Sequence, residues 1–126
     1  MKLLLDTHIL LWWLSDNDQL SLKARELISN PENDIFVSHV SLWEIQIKVM
    51  TGKIQVDLSR LIAQLPQNNF IQLTSHTDHI LQLAKLPPYH QDPFDRMLIA
   101  QALSEPLKLV THDKYVSMYS ESIILV

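Results

Sequence analysis

Four acids interrupt apolar stretches of this chain. Asp6 breaks the run "KLLLDTHIL", Glu44 lies inside "SLWEI", Asp95 sits in "PFDRMLIAQAL", and Asp113 follows "LVTH". Carboxylates brought to one place repel each other unless they are protonated or matched by cations. Mg²⁺ and Mn²⁺ are hard cations that take oxygen ligands. A carboxylate cage with open coordination positions can hold phosphate oxygens and activate a water. Metal-assisted hydrolysis of a phosphate ester is therefore the chemistry these residue types suggest.

Each acid also has a purely structural explanation. Asp6 can cap a helix beginning at residue 8, and Asp113 can cap the short helix after it. Glu44 and Ser41 have capping-box spacing, and Lys48 lies one turn further on as an ion-pair partner. Asp95 stands three residues after Asp92, again a capping distance. Capping explains each acid singly but not the convergence of all four.

Convergence depends on the elements that carry them. Short apolar runs without polar alternation read as strands at 2–5, 34–38, 69–73, 107–111 and 122–126. Helical patterns fill 8–14, 20–30, 39–50, 57–67, 75–86, 92–105 and 113–119. Gly52 is placed to end the third of these and the Pro87–Pro88 pair to end the fifth, while Asp92 and Pro93 start the sixth. Strands alternating with helices predict an α/β fold, a mostly parallel central sheet covered by helices on both faces. In such sheets ligands bind beyond the carboxyl ends of the strands. Asp6 and Asp113 fall just past strand ends, and Glu44 and Asp95 in the early turns of helices.

Composition narrows the classes. The chain has 126 residues, 47% hydrophobic and 19% charged, which suits one globular domain spanning 1–126. There is no cysteine, so disulfide scaffolds and thiolate chemistry are excluded. One glycine is too few for a phosphate-cradling glycine loop. The net charge of −4 argues against nucleic-acid binding by bulk electrostatics and leaves a local basic patch or bound metal. No signal peptide and no run of roughly 18 apolar residues is present, so a soluble cytoplasmic protein with no membrane association is expected.

In this order and setting, "LLLDTH", "SLWEI", "DPFDRMLIAQA" and "LVTHDKY" resemble the PIN-domain ribonucleases and, more narrowly, the VapC toxins of bacterial toxin–antitoxin pairs. The resemblance covers essentially the whole chain, and it rests on four motifs in order. It implies a three-layer α/β/α sandwich and an endoribonuclease that uses one or two Mg²⁺ or Mn²⁺ ions and a metal-activated water. Asp6, Glu44, Asp95 and Asp113 match the family's catalytic and metal-binding acids, and Thr111 a supporting position. Asp92 is a fifth nearby acid. As a helix cap it commits an oxygen to its own backbone, so Asp95 is taken as the ligand. His8 departs from the small polar residue common in relatives. The implied partners are an RNA substrate, a VapB-like antitoxin and a second copy in a homodimer. The alternatives are another metal-dependent phosphohydrolase or RNA-processing nuclease, and a non-catalytic PIN-like binding module, which has no need of four acids.

Other side chains carry weaker signals. His8, His90 and His112 each lie within two residues of an acid, yet no HExxH pair supports a zinc site. His76 and His79 share a helix that reads as distant from the acids. Arg96, Lys48 and Lys114 are candidate substrate-phosphate contacts. Trp12 and Trp13 are adjacent on one helix, so one of them is expected at an apolar protein contact.

Overall fold

A computed structural model describes residues 1–126. Five strands form one fully parallel sheet: β1 (Lys2–Leu5), β2 (Asp34–Ser38), β3 (Ile71–Leu73), β4 (Lys108–Thr111) and β5 (Ile124–Leu125), in spatial order β3-β2-β1-β4-β5. The connecting helices are α1 (Thr7–Leu14), α2 (Leu22–Ser29), α3 (His39–Met50), α4 (Leu58–Gln67), α5 (Thr77–Leu83), α6 (Pro93–Ser104) and α7 (Lys114–Ser117).

The alternation of side chains along β1 divides the core. Leu3 and Leu5 join Ile9, Leu10, Ala24, Ile45 and Leu65 on one face, under α1 to α4. Leu4 joins Leu98, Ile99, Leu109 and Val116 on the other, under α6 and α7. Consecutive leucines facing opposite ways explain why the strand shows no polar alternation. The result is the expected three-layer α/β/α sandwich.

Several elements are shorter than the sequence implies. Helix α5 ends at Leu83, well before the Pro87–Pro88 pair, and β3 and β5 keep only three and two residues. Ser21 accepts from the Ala24 N–H at 3.1 Å, so α2 starts at Leu22. Gly52 has φ +73°, a left-handed conformation that suits glycine just past the end of α3.

The chain begins in the middle of the sheet. It runs outward through β2 and β3, then returns to lay β4 and β5 on the other side of β1. The strand order therefore reverses between β1 and β4, and crevices for ligands open at such a switch point. Asp6 follows β1, and Asp113 follows β4 by two residues. The Asp6 N–H donates to the Val110 carbonyl at 3.0 Å, fixing the two ends together.

Candidate metal centre

Capping and site-building prove to be compatible for two of the acids. Asp6 caps α1, with Oδ1 accepting from the Ile9 N–H at 3.0 Å. Its Oδ2 accepts from the Thr111 hydroxyl at 2.5 Å. Asp113 caps α7 through Oδ1, which accepts from the N–H groups of Tyr115 and Val116. Its Oδ2 points elsewhere, 3.2 Å from Nε2 of His90. Thr111 couples the two acids, because its oxygen also accepts from the Asp113 N–H at 3.0 Å.

Glu44 and Asp95 are not caps. The cap of α3 is Ser38, which accepts from the Val40 N–H, so the capping-box reading of Ser41 and Glu44 does not hold. Glu44 is buried in the second turn, and both of its oxygens are held. Oε1 accepts from the Thr7 hydroxyl at 2.7 Å, and Oε2 pairs with Nζ of Lys48 at 2.8 Å. Asp92 is the cap of α6, accepting from the Asp95 N–H at 3.0 Å. That leaves the Asp95 carboxylate free to face the other acids from the first turn.

The electrostatics place Asp6, Glu44 and Asp95 in one field. Burial holds the Asp6 carboxyl above its ordinary value, and the charge of Glu44 adds to this; hydrogen bonds from Thr111 and Ile9 and the nearby His8 work the other way. Asp95 is pushed up to about 7, first by burial and then by the charges of Asp92, Asp6 and Glu44, with His90 opposing. Asp113 joins them through His90, whose Nε2 lies 3.1 Å from Asp95 and 3.2 Å from Asp113.

His90, marked in the sequence only as one of three histidines near an acid, lies between two of the carboxylates. Its Nδ1 accepts from the Asp92 N–H at 3.0 Å. The ring proton therefore sits on Nε2, between the two carboxylates. The loop that delivers it is tied down from below. The Arg96 guanidinium donates to the carbonyls of Leu86, Pro87 and His90 and to the Tyr119 hydroxyl, which itself accepts from the His90 N–H at 2.8 Å. Arg96 is thus a loop clamp in place of the expected phosphate contact. Lys48 likewise faces Glu44, while Lys114 lies against the Tyr115 ring, 5.9 Å from its centroid.

The ligand atoms of His90, Asp95 and Asp113 lie within 4.8 Å of one another. A cation on Nε2 of His90 would force its proton onto Nδ1, against the Asp92 N–H. Carboxylate oxygens of this kind, such as those of Asp95 and Asp113, suit a hard divalent cation. Asp6 and Asp95 are held above their ordinary range first by burial and then by neighbouring acids, and a nearby cation would favour their charged forms.

Five of the other histidines and tryptophans fall in three places. His79, on α5, is fully buried against the C-terminal half of α6, hydrogen bonded to Glu105 at 2.6 Å and close to Gln101. Trp13 packs on Phe70 and donates to Asn68, which makes it part of the core. Trp12 is half-buried between His8 and His112 and lines a cavity next to Asp6 and Asp113.

The family model for the PIN domain matches residues 3–120. The chain belongs to the PIN-domain family. It is 27% identical over 115 residues to Ribonuclease VapC22 of Mycobacterium tuberculosis, covering 88% of this chain and 86% of that protein. Its fold is similar to that of VapBC2 from Rickettsia felis, solved bound to a DNA fragment from their promoter, with a TM-score of 0.70 and 18% identity over 100% of this chain and 98% of that one. VapBC-1 from nontypeable Haemophilus influenzae gives a TM-score of 0.67 at 18% identity, covering 100% and 97% of the two chains. No helix of this PIN domain is long and apolar enough to cross a membrane.

Proposed function

We propose that this PIN-domain chain is a Mg²⁺- or Mn²⁺-dependent endoribonuclease of the VapC type, acting in the cytoplasm as the toxin of a VapBC pair. One observation carries the reading. Asp6, Glu44 and Asp95 meet in a single buried field at the switch point of the sheet, with Asp113 joined to them through Thr111 and His90. The similarity to Ribonuclease VapC22 and to VapBC structures supports the RNA substrate and a VapB-like partner.

Asp6, Glu44, Asp95 and Asp113 would hold the metal. When bound, it supplies positive charge for the phosphoryl oxygens and acidifies water. The chain's own groups do the positioning. Thr111 fixes Asp6 against the end of β4, Thr7 and Lys48 fix Glu44, and His90 spaces Asp95 from Asp113. Asp6 and Glu44 are anchored from both sides before any ligand arrives, so little ordering remains when substrate binds.

A second copy also has a surface to use. Trp43, 61% exposed, meets Phe94 edge-on above an apolar hollow shared with Ile80, Leu83 and Met97. We place the homodimer contact there and not at Trp13.

The test is cleavage of a mixed RNA pool by purified protein. Mg²⁺ or Mn²⁺ should support cutting, EDTA should stop it, and Asp95→Asn should abolish it while leaving the fold intact. Full cleavage by Asp95→Asn refutes this assignment of the acids.

A further inference from the structure

One cavity adjoins two of the assigned carboxylates. It holds about 330 Å³ and is lined by Asp6, His8, Trp12, Gln19, His112 and Asp113. We propose that it seats a nucleobase of the RNA strand beside the bond that is cut, stacked on Trp12 and read at its edge by Gln19 and His112. This rests on the ribonuclease reading above.

The walls define the occupant. Asp6 and Asp113 belong to the metal centre, so whatever sits here adjoins the reacting phosphate. The same two carboxylates disfavour a phosphate inside the cavity, and no lysine or arginine lines it. Trp12 is its one apolar wall, which is too little for a hydrophobic side chain of a protein partner. A flat, uncharged group with polar edges fits. The volume is at the lower end for small-molecule sites, which suits one base.

Trp12 provides the stacking surface. His112 meets the indole nearly edge-on, at 72° with centroids 5.3 Å apart, and His8 is tilted at 50° and 5.9 Å. Neither imidazole lies flat on the indole. Single-stranded RNA is recognised by stacking on aromatic faces and by hydrogen bonds to splayed base edges. Gln19 has a side-chain amide with no hydrogen bond inside the protein, its backbone N–H alone being paired, with Asn17. Nδ1 of His112 faces the Val126 carbonyl at 3.0 Å and so carries the ring proton, which leaves Nε2 as an acceptor. The cavity therefore offers one amide group and one ring acceptor to a base edge.

The experiment uses the whole chain, a single-stranded RNA randomised around the cut, and the variants Trp12→Leu and Gln19→Ala. Trp12→Leu should lower kcat/KM about 10- to 100-fold, the loss of one base stack. A single abasic residue placed beside the cut should give the same loss in the wild type and little further loss in Trp12→Leu. Gln19→Ala should lower kcat/KM for RNA with the preferred base at that position and so flatten the base preference there. Wild-type rate and preference in both variants would overturn the proposal. Trp12 packs partly on the core. Should Trp12→Leu fail to fold, Gln19→Ala and the abasic scan decide. Unchanged RNA preference with a weakened protein partner would make the cavity a partner site and also overturn it. If the wild type cuts no RNA, the nuclease reading fails by itself. RNA binding to the Asp95→Asn background, read by anisotropy, then decides the cavity: weaker binding with Trp12→Leu upholds it, and equal binding or none overturns it.

Discussion

Replacing Asp95 by Asn should raise the stability of the metal-free protein at neutral and alkaline pH while leaving it nearly unchanged in acid. The Asp95 carboxyl is pushed up to about 7 from 3.8. Between these values the folded state holds a proton that the unfolded chain has lost, so stability falls as pH rises through this window and levels off above it. From pH 5 to pH 7 the fall is at most about 2.7 kcal/mol. The side chain is 25% exposed, and solvent screening brings the expected effect down to about 1–2 kcal/mol. For a domain of this size that is roughly 4–8 °C in Tm. The assay is thermal unfolding in EDTA from pH 5 to pH 8. The gap in Tm between Asp95→Asn and wild type should widen across this range, and a divalent cation added at pH 8 should stabilise the wild type far more than the variant. A gap that stays constant with pH would refute the claim that Asp95 sits in the field of Asp6 and Glu44.

Four further outcomes are expected. Asp6→Asn keeps the cap of α1, because Asn caps about as well as Asp, and removes a carboxyl that burial holds above its ordinary value, so metal-free melting should be unchanged or raised while RNA cleavage disappears; retained cleavage removes Asp6 from the site. Mg²⁺ and Mn²⁺ should both support turnover, with Ca²⁺ binding but turning over poorly, and restoration by Zn²⁺ alone would favour histidine ligands. His90→Ala should tighten Mn²⁺ binding by calorimetry about tenfold, since no N–H then competes for Asp95 and Asp113; equal or weaker affinity rejects that competition. Trp43→Asp should leave a monomer by sedimentation if the apolar hollow beside Phe94 is the contact between copies, and an unchanged mass would place that contact elsewhere.

The legible part of this protein was its pattern. Apolar runs without alternation, separated by helical segments, specify a parallel sheet because strands buried on both faces need no polar side. An acid inside such a run is conspicuous, which is how Asp6, Glu44, Asp95 and Asp113 could be found. Roles that depend on distant chain were not legible. The pairing of Lys48 with Glu44 one turn away was legible, but Arg96 turns to the protein because of a loop that it pulls beneath itself. Thr7 stands just before the helix expected from residue 8 and carried no reading of its own. Its position in the first turn after Asp6 was the available signal, but its partner Glu44 lies on another helix. Trp13 finds Asn68 through the fold alone.

His90 shows why loops escape such reading most completely. Nothing in "LPPYHQDP" marks the histidine as part of a carboxylate site. Its placement follows from three constraints that lie outside the loop. Arg96 gathers the loop carbonyls, Tyr119 both receives the His90 N–H and takes a hydrogen bond from Arg96, and the Asp92 N–H fixes the ring through Nδ1. An imidazole held this way directs its N–H to Asp113 and lies 3.1 Å from Asp95, which lessens the repulsion of the two carboxylates without neutralising it. The loop that sets His90 thus brings Asp95 and Asp113 within reach of one ring nitrogen, and a divalent cation there would offset the charge that this nitrogen does not.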